Sequence, residues 1–338
     1  MRILLAIVIT AAVAWAGYWF IGSSALKSGI ATWFDARRTE GWVADYSELS
    51  VQGFPNRFDT TLTDLQLADP ASGMGWQAPF LQLMTLSYMP NHVIAVWPHE
   101  QRIVTPSGAY VLSSTDMRAS LVVEASTALA PKRSTLTAEG LTLTPEAGTG
   151  AFSATSLRLA AERGEDAPDT DDPRYHLGLA AEGAAPPAPL LAQLDVASTL
   201  PRVIDTLSAD ITVDFTAPWD RYAIEEARPQ PTRVDVTRMA ANWGTMTLEA
   251  SGILDVDAFG TPDGAITIKA RNWRDILQLA EGAGALTPDA AAAAERALSL
   301  LANASDSDKT VEITLELEGG RVWLGPLPIA AAPVMRLR

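Results

Sequence analysis

An apolar stretch opens the chain and runs from Ile3 to Gly22 without a charged residue. A helix of about 20 such residues, with a rise of 1.5 Å per residue, covers about 30 Å, which is the thickness of the hydrocarbon core of a bilayer. Trp15, Tyr18 and Trp19 lie toward its end, and such amphipathic rings favour the headgroup boundary. The pattern predicts a transmembrane anchor over residues 1–22.

A cleaved secretory signal is the alternative interpretation of the same stretch. Arg2, the apolar Ile3–Val13 core and the small residues Ala14 and Ala16 fit a signal cut after Ala16. The apolar run continues past Ala16 to Ile21, which gives it full spanning length and favours a retained anchor. A lipidated anchor is excluded because the chain has no cysteine.

The charges that flank the apolar stretch give only a weak orientation signal. Arg2 precedes it, and Lys27, Arg37 and Arg38 follow it. Long domains translocate largely regardless of charge. The sequence therefore predicts a single-pass protein of the inner membrane, with the bulk of the chain in the periplasm.

A second helical pattern follows directly. Leu26, Ile30, Trp33 and Phe34 recur at helical spacing within Ser23–Arg38, which predicts a juxtamembrane amphipathic helix over residues 23–40. It either lies on the membrane surface or covers the domain behind it, and the second interpretation is favoured.

The hydrophobic period changes to two from Asp45 onward, as in strands. Phe58, Thr60 and Leu62 share one parity, and Leu65 takes the other. The change of parity predicts a bulge or twist at Asp64, and a similar change is expected across Gly140. Residues 41–163 are interpreted as a first β-rich half built as a meander of antiparallel strands.

Residues 164–189 are predicted to be a linker region rich in acidic residues and proline, with a short strand near Tyr175–Leu179. The acidic residues are Glu165, Asp166, Asp169, Asp171 and Asp172. Calcium binding is one interpretation of this run. Because the spaced ligands and turn glycine of an EF-hand loop are missing, a solvated loop is favoured.

Residues 190–338 are predicted to form a second β-rich half with two helices. One-sided strands are predicted around Leu207–Phe215, Met246–Val256, Ile266–Ala270, Val311–Leu317 and Val322–Leu324. Asn272 is expected to cap the first helix, and Thr287-Pro288-Asp289 to open the second. The predicted fold class is mainly β with a few α-helices (α+β): a transmembrane helix followed by long twisted antiparallel sheets. Their apolar faces require cover by helices, by a second sheet or by cargo.

The net charge of -15 and the pI near 4.6 make nucleic acid an unsuitable partner, because an acidic surface repels phosphates. The absence of cysteine excludes disulfides and thiolate metal sites.

Signatures of catalysis are missing from the sequence. His92, His99 and His176 lie in separate contexts, and a metal site between His92 and His99 is the weaker interpretation. The Ser24-Ala25-Leu26-Lys27 match to Ser-x-x-Lys lacks its partner motifs. A dispersed carboxylate pair leaves a hydrolase open. We expect no enzymatic activity, no metal and no cofactor.

Several phrases carry a family resemblance. They include Gly53-Phe54-Pro55-Asn56-Arg57, Pro90-Asn91-His92, Trp97-Pro98, Trp243-Gly244 and the positions Gly252, Gly264 and Trp273. With them the chain resembles, over nearly its whole length, the alphaproteobacterial domain of unknown function 2125. Glycine and proline most often serve backbone geometry, so these motif residues are interpreted as structural.

That family is distantly similar to the AsmA-like proteins of the inner membrane. The resemblance implies a periplasmic twisted sheet with a lipid-accommodating groove and a part in phospholipid traffic and envelope upkeep. It supplies no catalytic residues. We therefore expect a non-enzymatic, membrane-anchored protein that binds or transfers phospholipid along an apolar sheet. The alternative is an interaction or assembly factor that binds envelope proteins and carries no lipid.

Overall fold

A computed structural model describes residues 1–170, 172–194, 200–225, 227–284, 286–304 and 309–337. Asp171 of the acidic run and short parts of the predicted second half lie outside these residues. Antiparallel strands predominate, which confirms the mainly β fold class. The described helices are α1 (Arg2–Thr39), α2 (Ala188–Leu194), α3 (Arg221–Glu225), α4 (Trp273–Gly282) and α5 (Pro288–Ala304).

Eighteen strands are present in the described ranges. The first nine are β1 (Val43–Asp45), β2 (Glu48–Gln52), β3 (Arg57–Asp69), β4 (Met74–Leu86), β5 (Met89–Val96), β6 (Glu100–Thr105), β7 (Gly108–Ser113), β8 (Asp116–Val123) and β9 (Pro131–Pro145). The other nine are β10 (Phe152–Arg163), β11 (Arg174–Ala184), β12 (Ile204–Phe215), β13 (Pro231–Trp243), β14 (Met246–Val256), β15 (Pro262–Arg271), β16 (Thr310–Glu318), β17 (Arg321–Leu324) and β18 (Leu327–Ala331).

The chain divides into two compact units. The first comprises Met1–Val123 and Leu136–Gly148, and the second comprises Glu124–Thr135 and Thr149–Arg338. This division follows packing, whereas the segments 41–163, 164–189 and 190–338 follow composition. Residues 174–184, inside the predicted linker, form β11, which is longer than the short strand expected near Tyr175–Leu179.

Helix α1 is continuous over 38 residues and is long and apolar enough to cross a membrane. Its first part is exposed on all sides, as an apolar helix in lipid would be. Its last part packs on the first unit, where Phe34 is buried with Leu49, Leu62 and Leu65. Ile30 packs against the same cluster. The amphipathic segment therefore covers the sheet, as the sequence favoured.

Strand β3 organises the first unit and confirms the change of parity at Asp64. Phe58, Thr60 and Leu62 are buried before this point and Leu65 after it. Asp64 has φ 50°, and the strand changes partner here: residues 59–63 pair with β2 and residues 66–68 with β1. Both partners pair with the same edge of β3. The left-handed residue Asp64 shifts the alternation of side chains by one position, so the buried side chains change parity where the partner changes.

The rest of the first unit departs from a simple meander. β4 pairs with β3 along its whole length and with both β5 and β6 on its other side. β5 pairs with β8, and β7 pairs with residues 142–145 of β9. Gly140 has φ 58°, and burial passes from Ala138 to Leu141 across it. This is the change of parity that the sequence predicted.

The second unit is a regular antiparallel run in which each strand from β10 to β18 pairs with the next one in sequence. Directly paired residues project to the same face. The one-sided strands predicted from the sequence are therefore confirmed, and their apolar residues lie in register across the sheet.

Two helices cover part of this sheet. Trp273 of α4 and Leu298 of α5 are buried together with Ala270 and Val311 of the strands. The Thr287 hydroxyl accepts the Ala290 N–H at 3.3 Å, which confirms the predicted start of α5. The prediction for Asn272 needs correction. It occupies the N-cap position with φ 55°, but its side chain donates to the Thr245 carbonyl oxygen and makes no capping bond.

Candidate functional site

The second unit presents one apolar sheet face. The register aligns a line of side chains across six strands, which we call the apolar row; its members are Leu159, Leu179, Ala209, Met239, Ala250 and Ile268. At about 4.8 Å between strands, the row is about 24 Å long. The strands show one-sided patterns in the sequence because this face is mainly apolar and the other is polar.

Among the residues that the structure describes, those that cover this face lie at its two ends. At one end, Tyr175, Val213 and Phe215 form a buried cluster. At the other, α4 and α5 pack over Ala270 and Val311. Between them the apolar row stays open, because Leu179 is 37% exposed and Met239 is 43% exposed. The middle of the face therefore offers apolar side chains to solvent or to a ligand.

An aromatic cavity of about 290 Å³ adjoins one end of the row. Its walls include Tyr175, Leu177, Phe215 and Trp219. The ring centroids of Tyr175 and Phe215 are 5.7 Å apart, and those of Phe215 and Trp219 are 5.6 Å apart, both edge to face. This geometry suits an apolar group.

The aromatic cavity is held in shape by a hydrogen bond. The backbone N–H of Trp219 donates to the Tyr175 hydroxyl at 2.9 Å. Burial raises the pKa of Tyr175, so the hydroxyl stays neutral at physiological pH. A neutral hydroxyl keeps the wall free of negative charge.

One cation lies at the wall of the aromatic cavity. Arg163, on β10, lines it, and its guanidinium pairs with Asp166 at 2.8 Å. The Arg163 side chain is 23% exposed. A ligand with an apolar part and an anionic group would meet complementary chemistry here.

The opposite face of the same strands is polar. Arg174 donates two hydrogen bonds to the buried carboxylate of Asp214, at 2.7 and 2.9 Å. His176 Nδ1 lies 3.0 Å from the Thr212 hydroxyl, and the Asp172 carboxylate accepts from the Thr232 hydroxyl at 2.7 Å. In a bidentate arginine pair, Asp214 serves as a structural ion-pair partner.

Within the described residues, no group of three or more His, Asp or Glu side chains is placed to hold a metal ion. His92 Nε2 lies 2.9 Å from the Ser120 hydroxyl, and His99 Nδ1 lies 3.0 Å from the Ser114 carbonyl oxygen. Each histidine therefore has a partner of its own on the sheet.

The first set of motif residues forms a contact site for α1. Gly53, Phe54 and Pro55 lie in the loop that joins β2 to β3, where Gly53 has φ 101°, and Arg57 begins β3. The carbonyl oxygens of Pro55 and Arg57 accept the indole N–H groups of Trp15 and Trp19. This loop therefore attaches the anchor helix to the first unit.

The second set lies in and just after β5. Pro90, Asn91 and His92 belong to the strand, and the Asn91 amide donates to the Val123 carbonyl oxygen of β8 at 3.1 Å. The Trp97 N–H donates to the Met117 carbonyl oxygen, and Pro98 is buried. These contacts hold the β5–β8 pair.

The third set lies in the second unit. The Trp243 indole donates to the Pro201 carbonyl oxygen at 2.7 Å, and the N–H of Gly244, with φ 59°, donates to the Asp205 carboxylate at 2.7 Å. Gly252 and Gly264 allow close approach of neighbouring strands. Trp273 anchors α4.

The motif residues and the open face are thus largely different sets. Gly252 and Gly264 lie on the apolar face, but the other motif residues have the structural contacts just described. The aromatic cavity, by contrast, draws on Tyr175, Phe215 and Trp219, for which the sequence alone gave no functional signal. Tyr175 and Trp219 are 44 positions apart, so only the strand pairing brings them together.

Comparison with known proteins places the chain in a family. No curated protein and no solved structure matches it. A family model described as "Uncharacterized protein conserved in bacteria (DUF2125)" matches residues 19–333, which is most of the chain and most of each compact unit. The chain therefore belongs to the DUF2125 family of uncharacterized proteins conserved in bacteria.

Proposed function

We propose that this protein is a non-enzymatic, membrane-anchored protein of the bacterial envelope that binds phospholipid on the apolar face of its second unit. In this proposal α1 spans the inner membrane and the bulk of the chain lies in the periplasm. Lipid binding or transfer then serves upkeep of the envelope, in an AsmA-like arrangement of anchor and sheet. The open apolar row is the observation that carries the proposal.

The energetics favour a hydrophobic ligand. Burial of apolar surface contributes about 25 cal/mol per Å² removed from water. Leu159, Leu179 and Met239 are large side chains that remain more than a third exposed, although they lie in one line. A contiguous exposed apolar patch of this kind is typical of a binding surface.

The dimensions suit the acyl chains of one phospholipid. A bilayer core of about 30 Å contains two opposed layers of chains, so one chain occupies about 15 Å. The apolar row, at about 24 Å, accommodates that length. The aromatic cavity and Arg163 at its wall would then receive the more polar end, where a phosphate or carboxylate meets a guanidinium.

A charge placed in the apolar row tests the proposal. The full chain is used, because removal of residues 1–40 would take Phe34 out of the core of the first unit. It is purified in detergent micelles that contain a fluorescent phosphatidylglycerol. We expect Leu179→Asp to weaken binding at least tenfold, since a carboxylate in an acyl-chain site costs well over 1.4 kcal/mol.

Ala180→Asp is the matched control. Ala180 is exposed, adjacent on the same strand and on the opposite face. It should leave the lipid affinity within about twofold, a difference well under 1.4 kcal/mol. Equal loss in both variants, or no lipid binding by the unmodified chain, would contradict the proposal.

A further inference from the structure

The contact between α1 and the first unit bears on how the protein meets the bilayer. Three aromatic side chains of α1 donate to backbone carbonyl oxygens at one end of the β3–β4 hairpin: Trp15 to Pro55 at 3.0 Å, Tyr18 to Ser87 at 2.6 Å and Trp19 to Arg57 at 2.7 Å. One turn later, Gly22 approaches Phe58 so closely that a Cβ would lie 2.8 Å from the ring. One face of residues 15–22 is thus packed on protein, while Phe20 and Ile21 remain exposed.

The part of α1 that is free of the sheet is too short to cross a bilayer by itself. Ile3–Ala14 is exposed on all sides, and its 12 residues span about 18 Å of the roughly 30 Å hydrocarbon core. The charge of Arg2 marks the headgroup level on one side. The missing 12 Å or so corresponds to the eight residues from Trp15 to Gly22. These are the residues that carry the sheet contacts.

The protein surface around these contacts has the composition of a membrane interface. Phe54 is 53% exposed although it stacks on Phe20, with centroids 5.7 Å apart. Tyr88, in the turn between β4 and β5, is 61% exposed. From Leu81 to Pro98 the chain contains no Asp, Glu, Lys or Arg. The nearby Asp59 carboxylate is paired with Arg57 at 3.0 Å. Exposed aromatic rings on a segment without charged residues favour the headgroup boundary.

The loop and the turn lie at the same end of the sheet. Arg57 pairs with Leu86, and the Ser87 N–H donates to the Asn56 carbonyl oxygen at 2.9 Å. The other end of the same hairpin, where Asp69 pairs with Met74, is 12 residues away along β3, or about 40 Å. The two ends of this hairpin therefore lie at very different depths if α1 spans a bilayer.

From these observations we infer that the loop Gly53–Asn56 and the turn Ser87–Tyr88 insert into the interfacial layer of the bilayer beside α1. The partner is the lipid surface itself, and the inserted groups are chiefly Phe54 and Tyr88. The first unit then contacts the membrane surface directly, with its anchor helix packed against it, and is not separated from the bilayer by a free stretch of helix. This inference rests on the proposed membrane anchoring.

Single cysteines can test the inference because the chain has none of its own. Val8→Cys, Phe54→Cys, Tyr88→Cys and Met74→Cys are each labelled with the fluorophore NBD in the full chain. The proteins are reconstituted in vesicles of phosphatidylcholine and phosphatidylglycerol that contain a lipid with a doxyl quencher near the headgroup or deep in the acyl chain.

We expect emission at positions 54 and 88 to shift to the blue and to be quenched by the shallow doxyl lipid. Position 8 should be quenched by the deep doxyl lipid, and the exposed position 74, at the far end of the hairpin, by neither. If position 8 is quenched while positions 54 and 88 behave like position 74, the inference is wrong although the anchor stands. If position 8 is not quenched, the anchoring proposal fails and this inference fails with it.

Discussion

The indole N–H of Trp19 donates a 2.7 Å hydrogen bond to the carbonyl oxygen of Arg57, across 38 positions of the chain. The Trp19 ring is buried and lies edge to face with Phe54 and stacked with Phe58, at centroid distances of 5.5 and 5.8 Å. One side chain of the apolar helix is thus both a hydrogen-bond donor and a packing anchor for the first unit.

Trp19→Ala should therefore destabilise the first unit. Loss of a buried tryptophan costs about 3–5 kcal/mol, whereas Trp19→Phe, which keeps much of the ring contact but removes the donor, should cost about 1 kcal/mol for the hydrogen bond plus a smaller packing loss. The measurement is denaturant unfolding of the full chain in detergent. Trp33→Ala, at an exposed position of α1, is the comparison, and an equal loss there would contradict the docking role of Trp19.

Gly252 should not tolerate a side chain. It has φ 153°, and a Cβ there would lie 2.1 Å from the Ala265 carbonyl oxygen of the neighbouring strand. Gly252→Ala must displace backbone, so we expect a loss of about 3 kcal/mol or more in the free energy of unfolding.

Gly178→Ala is the control within the same unit. Its nearest neighbour would be the Ala160 Cβ at 3.8 Å, an ordinary contact. We expect a change within about 0.5–1 kcal/mol, and in the stabilising direction, because alanine loses less chain entropy on folding. Similar losses of stability at both positions would show that the close approach of the strands at Gly252 does not cause the destabilisation.

Acid should weaken the second unit in part through Asp257. Hydrogen bonds from the backbone N–H groups of Thr261 and Phe259, each 2.8 Å, hold the pKa of the Asp257 carboxyl below its usual range. A carboxyl with a lower pKa in the folded state contributes stability above its unfolded pKa of about 3.9. That contribution is lost as the pH falls through the folded value.

Asp257→Asn removes the titration but keeps an oxygen that can accept the same hydrogen bonds. We expect its stability to vary less with pH than that of the unmodified chain between about pH 5 and pH 2, as measured by urea unfolding. An unchanged slope would assign the acid sensitivity to other groups.

The sequence predicted the strands well where a single physical pattern decides the structure. Leu207, Ile211 and Val213 share a parity because one face of their strand is apolar, and this parity survives in the register. The change of parity at Asp64 could be predicted from the sequence for the same reason. Helix α1 could be predicted because its apolar run is long.

Contacts between residues distant in the chain could not be predicted from the sequence. β6 pairs with β4 because the β6–β7 hairpin lies beside β4, although β5 separates the two strands in the sequence. Asn272 looked like a cap, but the nearby Thr245 carbonyl oxygen competes for its side chain. The aromatic cavity required three rings from two strands and a loop to converge, and no local pattern encodes that convergence.

The proposal that the apolar row holds lipid is tested most directly by a photo-reactive amino acid at Met239 in the full chain, in living cells. The matched site is Arg238, whose side chain lies on the opposite face and pairs with Glu249 at 2.8 Å. After irradiation and purification, mass spectrometry identifies what is attached. We expect phospholipid adducts at position 239 and none at position 238. A protein cross-linked at position 239 in place of lipid would contradict the lipid proposal and favour the interaction-factor alternative.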